Sequence, residues 1–319
     1  HPAIVKELMH LGCWAEVSSV HELDTAMEQG CNAGRCYYTG PGKSIREISY
    51  AIARGVRNFS VDSWNEARKI RACAQEQNCT VNLILRVNPD FHIIGAQLNM
   101  TGVPSQFGSE PSEWKDVPDD LRRSPHISIV GFHIYVGTNF KKAETLLEVF
   151  KGALQQILDI GDLLSVPVSF INLGGGFGHA FAASGERIDF TPLRQALTDM
   201  FDTCVPGWRN GSVMIAFESG RYLVAESGCL FCTVEDVKAS RGKHYVIIDS
   251  GIHHLGGMSG LGRIPRNTVE FERILAAASA GTANGEMMTC DIVGPLCTPL
   301  DCLTSNARMP ELRPGDVLQ

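Results

Sequence analysis

Two short stretches of the sequence carry residue types that could hold one ligand by its two ends. The turn Gly174-Gly175-Gly176 follows an apolar, strand-like run, and a glycine turn of this kind can present successive N–H groups to an oxyanion such as phosphate. Further along the chain, Arg221 could add a bidentate contact to the phosphate, while Glu218 could face a basic atom of the same ligand. A phosphate at one end and a basic nitrogen at the other indicate pyridoxal phosphate.

Strand-like runs alternate with helical patterns over the first two thirds of the chain. The runs predict seven strands, at about 14–18, 35–39, 57–61, 80–87, 127–136, 168–173 and 213–218. Helices are predicted at about 1–11, 141–160 and 191–204, and also after three Ser-x-x-Glu capping boxes, Ser19/Glu22, Ser44/Glu47 and Ser63/Glu66. This alternation requires a parallel sheet, either a doubly wound open sheet or a (β/α)₈ barrel.

The positions of the chemically capable residues favour the barrel. They lie at the C-terminal ends of many successive strands: Glu16 with Ser18, Arg86, His133 with Tyr135, the glycine turn, and Glu218 with Arg221. An open sheet concentrates its site at one switch point, whereas a barrel gathers every strand end around one mouth. Barrels commonly bind phosphate with the loops after strands seven and eight, and the two stretches take those places if one strand precedes His1. We therefore predict a (β/α)₈ barrel over residues 1–226, with its first strand missing from this chain.

Residues 227–319 have a different pattern. They contain strand-like runs at 234–237, 245–249 and 288–293 with weak helical periodicity, which predicts a second, mostly β domain. The turn Arg313-Pro314-Gly315-Asp316 is followed by the beginning of one more strand. We therefore expect this domain to be incomplete at its C-terminus.

Composition limits the partners. A net charge of −7 without a basic cluster argues against nucleic acid and anionic membranes as partners. The sequence has no run of about 18 apolar residues, so no membrane span is predicted. Eleven cysteines without a regular spacing, in a chain with no visible signal peptide, favour free thiols and a cytoplasmic location. Cys229 and Cys232 lack a second pair, and His253 and His254 lack a third ligand, so no metal site is predicted.

Three ordered motifs resemble those of the ornithine/diaminopimelate/arginine group of pyridoxal-phosphate decarboxylases: Asn172–Gly178, Glu218–Arg221 and Gly294–Asp301. The resemblance covers essentially the whole chain. Gly102–Gly108, Gly137-Thr138 and Gly294–Asp301 resemble the branch that contains the glutamyl-carrier-protein decarboxylase of butirosin biosynthesis. The resemblance implies a fold-type III barrel with a β domain, a homodimer with shared active sites, and release of CO₂ from a diaminopimelate-like, ornithine-like or carrier-bound glutamyl substrate.

The resemblance also implies roles for single residues. The phosphate would be held by Gly174, Gly175, Gly176, Arg221 and the hydroxyl of Thr138. Glu218 would bond the pyridine nitrogen, and Glu16 and Arg86 would line the cofactor's rim. Cys297, and with it Asp301, would reach into the partner's site, where the thiol would protonate the carbanion left by CO₂ and the acid would help to place the substrate. The histidine that usually stacks on the cofactor ring is replaced by Tyr135, and His133 shares the same face of the strand.

The lysine that forms the Schiff base is expected outside this chain. The resemblance places it at the end of the first barrel strand, before His1, and no lysine from Lys6 to Lys243 lies in a comparable strand-end position. We therefore expect this chain to be truncated at both ends and to lack the cofactor lysine.

Two other functions remain open. An amino-acid racemase shares the barrel but generally has an arginine at the pyridine nitrogen, so Glu218 argues against it. A catalytically inactive homologue that acts by binding another protein is compatible with the absent lysine. At the level of single residues, Glu218 and Arg221 could form a simple ion pair, and Cys297 could be only a small packing residue.

Overall fold

The computed structural model describes residues 1–90, 98–99, 104–180, 185–254, 269–275 and 287–319, so Gly102 and Val103 of the Gly102–Gly108 motif lie outside the described residues. The chain divides into two units. The first comprises His1–Gly178 and Ile188–Gly220, and the second comprises His179–Arg187 and Arg221–Gln319. The first unit thus ends at Gly220, whereas the sequence pattern ends the barrel at residue 226.

The structure describes nine strands in the first unit, seven of which agree with the seven that the sequence predicts. In chain order they are β1 (Ala15–Val17), β2 (Cys36–Tyr38), β3 (Asn58–Val61), β4 (Val81–Val87), β5 (Leu98–Asn99), β6 (Ile127–Ile134), β7 (Gly137–Thr138), β8 (Phe170–Asn172) and β9 (Met214–Ala216). Short β5 and β7 form a separate antiparallel pair. The other seven form one parallel sheet in the order β1-β2-β3-β4-β6-β8-β9, which is the connectivity of a (β/α)₈ barrel.

Helices precede the first strand of this sheet and lie between its successive strands. They are α1 (Pro2–His10), α2 (Val20–Glu28), α3 (Ile45–Ala53), α4 (Trp64–Glu76), α5 (Asp119–Arg122), α6 (Ala143–Leu164) and α7 (Leu193–Cys204), with 3₁₀ turns at Ala33–Arg35 and Pro206–Trp208; α8 (Arg221–Val224) begins the main segment of the second unit. Gly30 and Gly55 follow α2 and α3 with φ of +97° and +96°, as helix-ending glycines do. None of the described helices is both long and apolar enough to cross a membrane.

The three serine caps are present, but only one of the predicted capping boxes is reciprocal. Glu47 accepts a hydrogen bond from the N–H of Ser44 at 2.9 Å, and Ser44 accepts one from the N–H of Glu47. Glu22 and Glu66 instead accept from the residue before the cap, Ser18 and Asp62. The reciprocal bond predicted for those two helices is therefore wrong. The physical reason is the cap backbone: φ is −77° at Ser44 but −149° and −163° at the other two serines, which turns their N–H groups away.

The parallel sheet curls strongly. Strands β2 and β6 are separated by β3 and β4, so in a flat sheet they would lie about 14 Å apart. The hydroxyl of Tyr37 on β2 nevertheless lies 3.3 Å from Nδ1 of His133 on β6. Trp14, just before β1, has its ring 5.9 Å from that of Phe170 on β8. The predicted barrel interior is thereby confirmed.

The interior has an apolar floor below the strand ends. Tyr37, Ile84 and Phe170 are buried there, and partly buried hydrophobic residues pack against them: Trp14, Val130 and Ala216. Polar residues of the next layer stand side by side in the sheet register, since His133 lies between Arg86 and Asn172. The strand ends thus place a polar layer on an apolar base.

The second unit contains a mixed six-stranded sheet, as predicted for the C-terminal region. Its strands are β10 (Cys232–Ser240), β11 (Lys243–Ile248), β12 (Arg273–Leu275), β13 (Met287–Val293), β14 (Cys302–Pro310) and β15 (Val317–Leu318), in the order β12-β15-β10-β11-β13-β14. Adjacent strands of this sheet are antiparallel, except that β11 and β13 are parallel. A core of buried residues, including Val246, Ile248 and Ile292, packs on this sheet.

The close approach of β6 to β8 requires glycine at residue 131. A Cβ at Gly131 would lie 1.7 Å from the carbonyl oxygen of Phe170, its partner on β8. We expect Gly131→Ala to lower the free energy of unfolding by about 1–3 kcal/mol, because the two strands must separate. Gly42→Ala is the matched control, since a Cβ there meets no atom within 4 Å. Urea unfolding curves check this, and equal midpoints for the two variants would contradict it.

Candidate active site

The centre of the polar layer is the carboxylate of Glu218, which follows β9. Its backbone N–H donates to the carbonyl oxygen of Gly174 at 2.8 Å. Its Oε1 accepts a hydrogen bond of 2.6 Å from Nδ2 of Asn172 and lies 3.1 Å from Nε2 of His133. Its other oxygen, Oε2, accepts no hydrogen bond from a described residue. One oxygen is therefore held by the protein, and the second is available to a donor on a ligand.

Glu218 is held in the ionised form. Burial by itself would raise the pKa of its carboxyl group. His133, the amide of Asn172 and the guanidinium of Arg86 together outweigh burial and lower the pKa below its ordinary value. A carboxylate that is both desolvated and ionised is suited to stabilise a proton on a nitrogen atom placed against it.

Asn172 joins this carboxylate to the glycine turn. While its Nδ2 donates to Glu218, its Oδ1 accepts from the N–H of Gly174 at 2.9 Å. A Cβ at Gly175 would lie 2.0 Å from the carbonyl oxygen of Glu218, and Gly176 has φ of +106°. Only glycine allows the turn to pass this close to the Glu218 backbone.

The N–H groups of Gly175 and Gly176 are available for a ligand. Both residues are buried, and neither N–H donates a hydrogen bond to a described residue. Buried backbone donors normally have partners, and a turn of successive N–H groups attracts anions. Together with the free Oε2 of Glu218, these donors fit the two ends of pyridoxal phosphate.

A second segment borders the glycine turn. Phe140 N–H donates to the carbonyl oxygen of Gly176 at 2.9 Å, and the N–H of Gly178 donates back to Phe140 at 3.1 Å. A Cβ at Gly174 would lie 2.9 Å from Cα of Tyr135. A Cβ at Gly176 would lie 2.9 Å from the carbonyl oxygen of Gly137, so the structure brings Tyr135 and the residue before Thr138 to the turn.

Glu16 forms the opposite side of the polar layer and has a different pKa from Glu218. Its Oε1 accepts a hydrogen bond of 3.1 Å from the hydroxyl of Thr39. Glu16 is accessible to solvent, but the surrounding protein partly desolvates its carboxylate. This desolvation, together with the negative charge of Glu218, raises the pKa of Glu16 to about 7. His133, Thr39 and Arg86 oppose the rise less strongly. The site therefore pairs one ionised carboxylate with one that is partly protonated near neutral pH.

Arg86 is oriented by a segment that is itself tied to the adjacent strand end. Its guanidinium lies 4.6 Å from the centre of the Phe107 ring. The N–H of Gly108 donates to Oδ1 of Asp62 at 2.5 Å. Oδ2 of Asp62 lies 3.8 Å from the buried amine of Lys43. This chain of contacts fixes Phe107, and with it the direction of Arg86.

The remaining predicted residues belong to the second unit. Arg221 is the first residue of α8, and Cys297 is exposed in the turn between β13 and β14. Asp301 is buried, and its two oxygens accept hydrogen bonds of 2.8 Å from the N–H groups of Ile252 and Leu296. Both Asp301 oxygens thus hold the backbone of this unit, in addition to the substrate role that the sequence predicts.

Three residues of the first-unit site have no role predicted from the sequence. These are Asn172, which links Glu218 to the glycine turn, Thr39, which contacts Glu16, and Tyr37, which contacts His133. Asn172 had a usable signal, since a polar amide ends an apolar run two residues before a glycine turn. Tyr37 and Thr39 lie in an ordinary strand pattern, and their contacts arise from the curl of the sheet.

Two family models match the chain. The pyridoxal-binding domain of the pyridoxal-dependent decarboxylases matches residues 1–225, and the C-terminal sheet domain of the same enzymes matches residues 134–319. The chain is 31% identical over 319 residues to the L-glutamyl-[BtrI acyl-carrier protein] decarboxylase of Niallia circulans, covering 99% of this chain and 73% of that protein. It is 26% identical over 318 residues to a diaminopimelate decarboxylase of Helicobacter pylori, covering 98% and 73%.

Solved structures agree with these matches. Diaminopimelate decarboxylase from Helicobacter pylori complexed with L-lysine superposes with a TM-score of 0.78 at 25% identity, over 99% of this chain and 75% of that one. Lysine/ornithine decarboxylase from Vibrio vulnificus complexed with putrescine shares the fold, with a TM-score of 0.74 at 23% identity over 100% and 77%. The predicted family resemblance, barrel fold and cofactor class are confirmed.

The pairing of the two acids predicts a coupled titration. We expect Glu16 to titrate near pH 7, protonated below that pH and ionised above it. In Glu218→Gln the midpoint should fall, because removing a negative neighbour makes ionisation of Glu16 easier. Carboxyl ¹³C NMR of glutamate-labelled protein measures it, with the signal assigned by Glu16→Gln. Glu144→Gln, an exposed position in the first turn of α6, should leave the midpoint unchanged. No fall in Glu218→Gln would show that the two acids are not coupled.

Proposed function

The chain belongs to the pyridoxal-dependent decarboxylases, and on that basis we propose that it removes the α-carboxylate of a glutamyl group carried on an acyl carrier protein. The choice of substrate is supported by the 31% identity to a decarboxylase of that kind over nearly the whole chain. A free diamino acid such as diaminopimelate is the second candidate, supported by the 26% identity to diaminopimelate decarboxylases. The amino-acid racemase and the inactive homologue are the competing functions.

The observation that carries the chemistry is the half-engaged carboxylate of Glu218. When bound, pyridoxal phosphate supplies a conjugated ring that accepts the electron pair left on the α-carbon by departing CO₂. Glu218 Oε2, which has no partner among the described residues, would accept a hydrogen bond from the protonated pyridine nitrogen and keep that proton in place. A racemase of this fold would be expected to have an arginine here, so an ionised Glu218 favours decarboxylation.

The other cofactor contacts follow from the first-unit geometry and from the family resemblance. The free N–H groups of Gly175 and Gly176 would bind the phosphate, with Gly174 setting the turn and with further contacts from Thr138 and Arg221. Tyr135, beside Gly174, would face the cofactor ring in place of the usual histidine. Arg86 and Glu16 would line the rim, where their charges can bind a substrate carboxylate or amine.

Protonation of the product is assigned to Cys297. Its exposed thiol would donate a proton to the α-carbon, which requires the thiol to be protonated at that step. Asp301 would support substrate placement by fixing the turn that carries Cys297, since its oxygens already bind the N–H groups of Ile252 and Leu296. We propose that this turn serves the site of a partner subunit in a homodimer.

The Schiff-base lysine is proposed to lie outside residues 1–319. Lys43, the buried lysine beside the polar layer, donates to the carbonyl oxygen of Gly40, and its amine lies 3.0 Å from Oε1 of Glu66. An amine engaged in this way is poorly placed to attack a cofactor aldehyde. We also propose a cytoplasmic location, supported by eleven cysteines that are all free thiols; recovery of the protein mainly from an extracytoplasmic fraction would contradict it.

The proposed function predicts CO₂ release by the intact protein from carrier-bound glutamate, faster than from free glutamate, diaminopimelate or ornithine. Glu218→Gln should lower turnover about 100- to 1,000-fold, because a preorganised charge is lost at the site where charge develops. Glu144→Gln is the surface control. Radiometric CO₂ capture and chiral analysis of the recovered substrate measure decarboxylation and racemisation in the same samples.

Each alternative has its own outcome in this assay. Fastest release from diaminopimelate would support the second substrate. Racemisation without CO₂ would support a racemase, and no turnover of any substrate by cofactor-loaded protein would support an inactive homologue. Borohydride reduction followed by peptide mapping locates the lysine, and a pyridoxyl group on any peptide of residues 1–319 would contradict its proposed position.

A shared site predicts complementation between two impaired variants. Cys297→Ala and Glu218→Gln should be nearly inactive alone, but mixing and exchanging their subunits should recover about a quarter of wild-type activity, because half of the dimers are mixed and each has one intact site. Mixing Cys297→Ala with Cys297→Ser is the control and should recover nothing. Absence of recovery after tagged subunits are shown to exchange would mean that each subunit supplies its own thiol.

A further inference from the structure

Tyr37 reaches the polar layer from the apolar floor of the barrel. Its ring is buried with Ile84 and Phe170, so its hydroxyl is the polar atom at the end of an otherwise apolar contact. That hydroxyl lies 3.3 Å from Nδ1 of His133, and the two rings meet edge to face with centroids 6.0 Å apart. Tyr37 and His133 are both fully enclosed, at 4% and 0% exposure, so solvent does not compete for this hydrogen bond.

The surroundings of Tyr37 decide which atom donates. Burial raises the pKa of its hydroxyl well above the ordinary value, and the negative charges of Glu218 and Glu16 add to this, while Ser60 and Arg86 oppose it. The hydroxyl therefore keeps its proton and can donate it to Nδ1. An imidazole that accepts at Nδ1 carries its own proton on Nε2.

That tautomer matters because of what Nε2 faces. It lies 3.1 Å from Oε1 of Glu218, the oxygen that also accepts from Asn172. A proton on Nε2 is attracted to this oxygen, whereas the other tautomer would set a nitrogen lone pair against a carboxylate. Because Oε1 accepts a hydrogen bond from Asn172 and lies in electrostatic contact with Nε2, the rotation of the carboxylate is restricted and Oε2 stays directed away from both groups.

We propose that Tyr37 is a positioning residue: by donating to Nδ1 of His133 it keeps the imidazole proton on Nε2, which fixes Oε1 of Glu218 and leaves Oε2 for the pyridine nitrogen. The tautomer depends only on residues of this chain. Its consequence for the reaction rests on the proposed function.

The test compares two neighbouring tyrosines. Tyr37→Phe removes the hydroxyl that contacts His133. Tyr38→Phe is the matched control, because Tyr38 is also fully buried on β2 and its hydroxyl has no hydrogen-bond partner among the described residues. Both changes remove one buried hydroxyl from the same strand, so a general effect on packing should appear in both. Thermal unfolding of the two variants verifies that each is folded.

The first readout needs no cofactor. In the intact protein labelled with ¹⁵N-histidine, two-bond ¹⁵N–¹H correlation spectra report the tautomer of His133, assigned by its loss in His133→Gln. We expect the Nε2–H pattern in the wild type and in Tyr38→Phe, and a mixture with the Nδ1–H form in Tyr37→Phe. A wild-type pattern in Tyr37→Phe would overturn the proposal.

The second readout is turnover of the cofactor-loaded protein. We expect Tyr37→Phe to lower kcat about 3- to 10-fold, the value of one hydrogen bond, with little change in KM, while Tyr38→Phe stays near wild type. A changed tautomer with unchanged kcat would overturn the positioning role. If the wild type releases no CO₂, the proposed function fails, and the NMR result still decides whether Tyr37 sets the tautomer.

Discussion

The site depends on keeping one carboxylate ionised where burial opposes it. Desolvation makes an unpaired buried charge costly, so Glu218 needs polar partners within the protein. Asn172 donates to Oε1 at 2.6 Å, and Nε2 of His133 lies 3.1 Å from the same oxygen. One oxygen of Glu218 is thus stabilised by protein contacts, and the second oxygen keeps its full capacity to accept a hydrogen bond from a ligand.

The glycine turn follows from the same constraint. Asn172 binds Glu218 with one end of its amide and Gly174 with the other, so it couples the acid that would face a pyridine nitrogen to the N–H groups that would face a phosphate. At Gly175 a Cβ would come within 2.0 Å of the Glu218 carbonyl oxygen. Glycine is therefore required here by the closeness of two strand ends as much as by anion binding.

The features that the sequence predicts depend on residues close together in the chain, whereas the features that it misses depend on residues far apart. Strands such as 80–87 and 127–136 are set by local apolar runs, and the serine caps are set by residues three positions apart, so both can be predicted. The direction of the Glu22 and Glu66 side chains depends on the backbone angles of the cap residues, which the sequence pattern does not reveal. Tyr37 and His133 are 96 residues apart and meet because the sheet curls. No local pattern encodes that contact. Asp301 belongs to a motif, but its engagement with Ile252 becomes visible only in the folded unit.

The two acids of the polar layer show how one environment can assign opposite charge states. Glu218 has His133 and Asn172 as near neighbours, which lower its pKa, whereas Glu16 has a single hydroxyl, and the charge of Glu218 adds to its desolvation. Ionising both would place two negative charges close together in one layer, with Arg86 as the opposing guanidinium. Keeping Glu16 partly protonated avoids that repulsion and leaves the favourable potential of Arg86 and His133 concentrated on Glu218. The acid that would hold the pyridine proton is thus the one that the layer keeps charged.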